Sequence, residues 1–331
     1  MIEERQEIEQ RTNRLLDELE APLIYSSPAS SDVEAVERAL NFILNLSLNE
    51  ESFGQFGSDI FQTFYDIATT AEEPLRKFAL LRTEVTAQMW LQTYASFLNT
   101  DPNSKGEEPG ADEVLDFIMG IYTLERVGIG HDSKEQVRDA ARKCRAEDFF
   151  NVDSSAFSLK TKHLRPSMEC SQYTTALTYT FYASKIGIDI HIDLVNVLRL
   201  LPLYRPYRVF SKIKKGEDSF DEYSDQITMI FNLIHVLSNY GELKLAPSLL
   251  PQEYAYLSDP AHLDRAISFV DVHLAGEICH CLRVFGKEEN DPMMVRGLQF
   301  LRWTQKLDGS WPTRDGIIQL MLCKFYVFFL I

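Results

Sequence analysis

The stretch Arg296-Gly297-Leu298-Gln299-Phe300-Leu301-Arg302-Trp303-Thr304-Gln305-Lys306-Leu307-Asp308-Gly309-Ser310-Trp311 decides how the chain is read. It is a helical run that closes on Gln, Gly and Trp at fixed spacing. Upstream, four strongly apolar helices also close on glycine: Leu124-Glu125-Arg126-Val127-Gly128, Ala183-Ser184-Lys185-Ile186-Gly187, Leu237-Ser238-Asn239-Tyr240-Gly241 and Leu282-Arg283-Val284-Phe285-Gly286. A glycine there takes the left-handed conformation that lets orphan carbonyls find donors, so each is a helix stop. More polar segments follow them, for example Ser133 to Arg145, His191 to Leu201 and Pro292 to Gln305. Apolar residues recur at spacings of three and four from Val33 onward and period-two alternation is nearly absent, which predicts an all-α fold with alternating buried and half-buried helices.

The 296–311 stretch resembles the QW repeat of terpenoid cyclases, whose slots are a basic residue, Gly, an aromatic or Leu (here Leu301), Gln, Gly and Trp. In that family the Gln caps the next helix and the Trp stacks on it, tying an outer helix to an inner one. Asp271-Val272, followed by Gln305 and Asp308-Gly309, is also similar to the protein prenyltransferase β subunits, with His273 in place of their Arg. The resemblance implies an α/α toroid, two concentric rings of antiparallel helices, over residues 32–331. Residues 1–31 stand apart as a charged helical arm and a Ser/Pro linker, and Ser31-Asp32-Val33-Glu34 reads as a capping box with Ser31 as N-cap. The apolar end Phe325-Tyr326-Val327-Phe328-Phe329-Leu330-Ile331 carries no cap. It is read as a truncated frame or a dimer contact, with the toroid incomplete and open between its first and last helices.

Composition narrows the function classes. The chain has 331 residues, 45% of them hydrophobic, enough for a large core, and a formal charge of −16 that repels nucleic acid and anionic lipid. Five cysteines without a Cys-x-x-Cys pair fit free thiols and a cytoplasmic location. The apolar segment from Gly316 to Ile331 rises only about 24 Å as a helix, short of the roughly 30 Å hydrocarbon core, so it reads as a core helix and no membrane span is expected.

In a double ring the early turns of the inner helices meet at a cavity mouth. Polar residues there are candidates: Arg82, Glu84, Asp112, Glu113, Gln172, Tyr173, Asp225, Gln226, Asp271, His273 and Glu277. Of these, His273 and Glu277, four apart on one face, form the acid-base pair, with Asp271 orienting them. Gln172, Tyr173, Asp225 and Gln226 form the ligand-binding set. The competing reading makes the helix-start acids N-caps and the His-Glu pair a buried structural contact.

No metal or cofactor is expected. Residues one and two apart in Cys279-His280-Cys281 point in different directions on a helix, Asp189, His191 and Asp193 converge only on a loop, and His235 reads as a core histidine. The Asp-x-Asp-Asp and Asp-Cys-Thr-Ala motifs of cyclases are absent, as are the Asp-x-Cys-Tyr start of the prenyltransferase zinc site and the Cys-His-Gly and Trp-Cys pairs of lanthionine cyclases. Two functions stay open. One is a cyclase- or transferase-like protein that binds or transforms an apolar molecule, isoprenoids among the candidates, in a cavity rich in aromatic residues. The other is a non-catalytic scaffold whose acidic surface recruits a basic protein.

Overall fold

The computed structural model describes residues 31–98, 109–157, 168–210 and 218–312, and among these there is no strand. The helices are α1 (Asp32–Ser47), α2 (Glu50–Thr70), α3 (Leu75–Leu98), α4 (Ala111–Val127), α5 (Lys134–Lys143), α6 (Ala146–Phe150), α7 (Cys170–Ile186), α8 (Leu194–Leu198), α9 (Leu201–Tyr204), α10 (Asp218–Leu237), α11 (Pro251–Leu257), α12 (Pro260–Phe269), α13 (Val272–Val284) and α14 (Pro292–Thr304).

Local signals set the boundaries. Ser31 caps α1 by accepting a hydrogen bond from the Glu34 amide at 3.2 Å, while the Glu34 carboxylate pairs with Arg38 one turn on. All four expected stop glycines have positive φ: Gly128 at 79°, Gly187 at 68°, and Gly241 and Gly286 at 88°. Gly128 and Gly187 are the C-caps of α4 and α7, where a side chain would be strained. The alternation of burial also holds. Helix α4 buries every residue from Val114 to Leu124 except Asp116, whereas α5 buries only Val137 and Ala141.

Packing follows the alternation. The helices α2, α4, α7, α10 and α13 touch one another in that order, and α1, α3, α5, α8, α12 and α14 pack against them. Close approach depends on two glycines. A Cβ on Gly120 of α4 would stand 2.1 Å from the Trp90 ring of α3, and one on Gly297 of α14 would stand 2.2 Å from Cys279 Sγ of α13. Trp90 is fully buried and donates to Ser58 Oγ of α2 at 2.8 Å, so one side chain fastens three helices.

Each slot of the 296–311 stretch has a physical role. Leu301 is buried, and its carbonyl accepts from Trp311 Nε1 at 2.9 Å; Trp311 itself is fully buried. Gln305 Nε2 donates to the carbonyls of Ala35 in α1 at 2.8 Å and Gly309 at 3.1 Å. Gly309, with φ 87°, lies so close to α1 that a Cβ would meet Arg38 O at 2.2 Å. The turn after α14 therefore rests on α1, where the Gln305 amide and the side-chain-free Gly309 let the two backbones meet; the expected opening beside the last helix lies outside the described residues. The apolar segment from Gly316, the arm before Ser31, and most of residues 101–110 and 211–221 lie outside the described residues, although α10 already begins at Asp218.

Candidate functional site

Of the expected site residues, Asp271, Gln172 and Gln226 are engaged in holding backbone. Asp271 caps α13, its carboxylate accepting from the Leu274 amide at 3.0 Å. Gln172 accepts from the Glu169 amide and donates to the Asn151 carbonyl, both at 3.1 Å, which pins the start of α7 to the end of α6. Tyr173 is fully buried against Tyr204, with ring centres 4.6 Å apart. Gln226 holds both backbone groups of Arg208, accepting from N at 2.9 Å and donating to O at 3.0 Å, and also donates to the Tyr256 hydroxyl at 2.9 Å. Asp225 is exposed, its pKa raised by partial burial and by the charges of Glu169 and Asp221. Nearby, Glu253 of α11 is fully buried and takes a two-pronged hydrogen bond from Arg205, 2.7 Å on each arm, as well as the Tyr207 hydroxyl. Of the acid-base set, His273 is half-buried and Glu277 is buried.

Glu277 meets a histidine of another helix. His235, in the last turn of α10, places Nε2 3.1 Å from Glu277 Oε2 of α13. Cys281, one turn beyond Glu277 on the same face of α13, completes a cluster whose three donor atoms all lie within 4.8 Å of one another. His235 and Glu277 are each 2% exposed and Cys281 is fully buried. Burial first, and then the Glu277 charge, push the Cys281 thiol well above its ordinary range.

The rings around this cluster fix its geometry. Tyr240 stacks on His235 at 5.8 Å and on Tyr182 at 5.4 Å, and His280 stands edge-on to His235 at 5.1 Å. Tyr240 reaches this position through a left-handed backbone, φ 56°, between Asn239 at 51° and Gly241 at 88°. Left-handed non-glycine residues cost of order 1 kcal/mol or more each, so the packing around Tyr240 must outweigh that strain. The other metal-like run is used elsewhere: the His191 amide donates to Asp189 at 2.7 Å and its ring bonds the Cys144 carbonyl at 2.9 Å, which locks the loop after Gly187.

The open space lies at the opposite ends of the same helices. A hollow of about 710 Å³ is lined by Tyr65, Ala68, Thr69 and Thr70 of α2, Glu72 after it, Arg76 and Leu80 of α3, Arg126 and Val127 of α4, Gly241, Glu242 and Lys244 after α10, and His280, Arg283 and Val284 of α13. His280 thus belongs both to the wall of this hollow and to the surroundings of His235. Four cations line it, Arg76, Arg126, Lys244 and Arg283, against two carboxylates, Glu72 and Glu242. Burial opposes the Arg126 charge, but hydrogen bonds to Tyr65 and Glu242 outweigh it and raise the pKa. Lys244 is lowered by burial and then by the neighbouring Arg283, while it donates to the Arg283 carbonyl at 3.0 Å.

Sequence reasoning looked to the N-terminal ends because helix amides attract ligands there. The glycine stops were the available signal for this other end. A left-handed stop turns the chain sharply and leaves the carbonyl ends of neighbouring helices facing a common space. No protein family, no curated protein and no solved structure matches this chain.

Proposed function

We propose that the chain is an α/α-toroid protein, similar in architecture to the terpenoid cyclases and prenyltransferase β subunits, that binds a small amphipathic molecule of the isoprenoid class in the hollow at its helix C-termini. The observation that carries this reading is the hollow itself, about 710 Å³, formed where the ends of α2, α4, α13 and the turn after α10 converge. Pockets of a few hundred to 1,000 Å³ suit small molecules. The ordered contacts of α2, α4, α7, α10 and α13, with the turn after α14 returning to α1, support the toroid.

Magnitudes favour a neutral ligand over a diphosphate. The lining has four cations against two carboxylates. Each helix C-terminus carries roughly −0.5 of a charge, so four such ends offset most of that surplus. What remains is a nearly neutral wall of carbon, from Ala68, Leu80, Val127 and Val284, with hydroxyl, guanidinium and ammonium donors. Binding rather than catalysis is the better-supported role. The acid-base pair nearest the hollow, His235 and Glu277, is shut away from any reactant, each 2% exposed.

Thermal shift with prenyl alcohols and prenyl diphosphates tests this. The alcohols should raise the melting temperature more than the diphosphates, and Thr69→Trp, which fills the hollow from its exposed side, should abolish the shift. No shift with either class would overturn the reading.

One observation favours a second role: the formal charge of −16 suits recruitment of a basic protein. Binding to polylysine-coated and neutral surfaces, with and without residues 1–31, separates the roles. Equal retention on both surfaces would remove the second.

A further inference from the structure

We propose that His235, Glu277 and Cys281 form a zinc site on α10 and α13. This goes beyond the ligand-binding reading and does not depend on it, and it revises the expectation of no metal drawn from sequence.

Geometry is the first argument. Two of the three side chains are four residues apart on α13 and share a face; the third comes from the last turn of the neighbouring α10. A tetrahedral zinc with bonds of about 2.0 to 2.3 Å sets its ligand atoms roughly 3.3 to 3.7 Å apart. The His235 Nε2 to Glu277 Oε2 distance is 3.1 Å, and the whole set spans no more than 4.8 Å, about 1 Å beyond the separation that bonded ligands would have.

Donor chemistry is the second. One imidazole nitrogen, one carboxylate oxygen and one thiolate make a mixed set that zinc accepts and that the hard cations magnesium and calcium, which take oxygen alone, do not. Three protein ligands leave a fourth position. His280 stands beside His235 and also lines the hollow. The trio contains no Asp-x-Cys-Tyr run and differs in residues and spacing from the constellation that the resemblance would bring.

Charge is the third. A zinc ion with one carboxylate, one thiolate and a neutral imidazole sums to zero, the balance a site with all three residues buried requires. The alternative is a histidine–glutamate contact beside a protonated thiol. In that case the thiol proton stays, whereas binding zinc releases it, because a coordinating thiol is deprotonated outright.

The test uses the full-length chain loaded with zinc or cobalt(II) and dialysed against metal-free buffer. We expect about one metal per chain by mass spectrometry, and with cobalt a tetrahedral visible spectrum together with a thiolate-to-cobalt charge-transfer band. Cys281→Ser should lose that band. Cys279→Ser, two residues away and also fully buried, should keep it and serves as the control for disturbed packing. If Cys281→Ser does not fold, the wild-type cobalt spectrum still decides. A folded wild type without the charge-transfer band, or a band that survives in Cys281→Ser, overturns the site. Zinc content is read without isoprenoid present, so its failure and that of the ligand reading are told apart.

Discussion

The two ends of the core helices differ in what their polar groups do. Toward the N-terminal ends, Asp271 and Gln172 spend their oxygens and nitrogens on backbone amides and carbonyls, Gln226, two turns into α10, holds the Arg208 backbone, and Glu253 is consumed by Arg205 and Tyr207. At the C-terminal ends Arg126, Lys244 and Arg283 border open space while Arg126 bonds Tyr65 and Glu242 and Lys244 bonds the Arg283 carbonyl. The cause lies in the backbone. The first turn of a helix has unpaired amides that short acidic and amide side chains satisfy locally, so polar residues placed there are drawn into capping. A last turn closed by a left-handed glycine answers its own carbonyls and needs no side chain. The glycine-stopped ends of α4 and α13 are therefore free to line a hollow, beside the Ala71-capped end of α2, and polarity at a helix start is a poor indicator of a binding site in this molecule.

The largest expected effect tests the pinned end. Glu253→Ala removes the partner of a partly buried guanidinium and of a buried phenol, and should destabilise by about 3 to 5 kcal/mol. Gln226→Ala should cost less, about 1 to 3 kcal/mol, by leaving the Arg208 amide and carbonyl and the Tyr256 hydroxyl without this partner. Urea denaturation of both variants beside Thr69→Trp measures the contrast. The hollow variant should lie within about 0.5 kcal/mol of wild type, as surface substitutions usually do. If it loses as much as Gln226→Ala, the two ends are not organised differently.

The turn after α14 offers a second test, of similar or slightly smaller size. Gly309→Ala must relieve both a positive φ and a Cβ 2.2 Å from Arg38 O, so the turn has to lift from α1. A loss of about 2 to 4 kcal/mol is expected, measured as a lower midpoint in chemical denaturation. Gly286→Ala has the same positive φ and nothing within 4 Å, so it isolates the backbone part at roughly 1 kcal/mol. Equal losses would mean that the contact with α1 adds nothing.

What the sequence disclosed follows the range of the interactions involved. The Ser31 cap, the glycine stops and the Gly297, Leu301, Gln305, Gly309 and Trp311 slots are local or depend on one close approach, and residue type and spacing encode them. The apolar, glycine-stopped segments marked α4, α7, α10 and α13 as buried helices, which do meet in succession; α2, which joins them, carried no such stop. The His235–Glu277 contact was not legible. It joins residues far apart in the chain, while His273, four residues from Glu277, offered a nearer partner by helical spacing alone. Nothing local announces that α10 ends beside the middle of α13, or that Asn239, Tyr240 and Gly241 would adopt three successive left-handed conformations and bring a tyrosine onto the imidazole.

The smallest expected effect concerns Asp116, on the α4 face toward α2 and α7. Its side chain reaches the surface, yet the surrounding packing removes part of its water. That burial first, and then the charges of Asp59, Asp112 and Glu113, raise its pKa from 3.8 to about 6, while a hydrogen bond with Tyr179 works the other way. A carboxyl with a raised pKa in the fold opposes folding when it is ionised. The penalty is complete above pH 6 and fades as the pH falls from 6 toward 4, where the folded chain takes up a proton that the unfolded chain does not yet hold. Asp116→Asn removes the penalty, so it should stabilise the protein at pH 7.5 and confer progressively less advantage down to pH 4. Solvent screening at this partly exposed site keeps the gain small. The readout is the difference between wild type and variant in urea midpoints at the two pH values, in which the general repulsion from a formal charge of −16 largely cancels. A variant advantage that is equal at both values, or that grows toward acid, would show that ionised Asp116 carries no penalty and that this N-terminal carboxylate, unlike Asp225, sits comfortably in water.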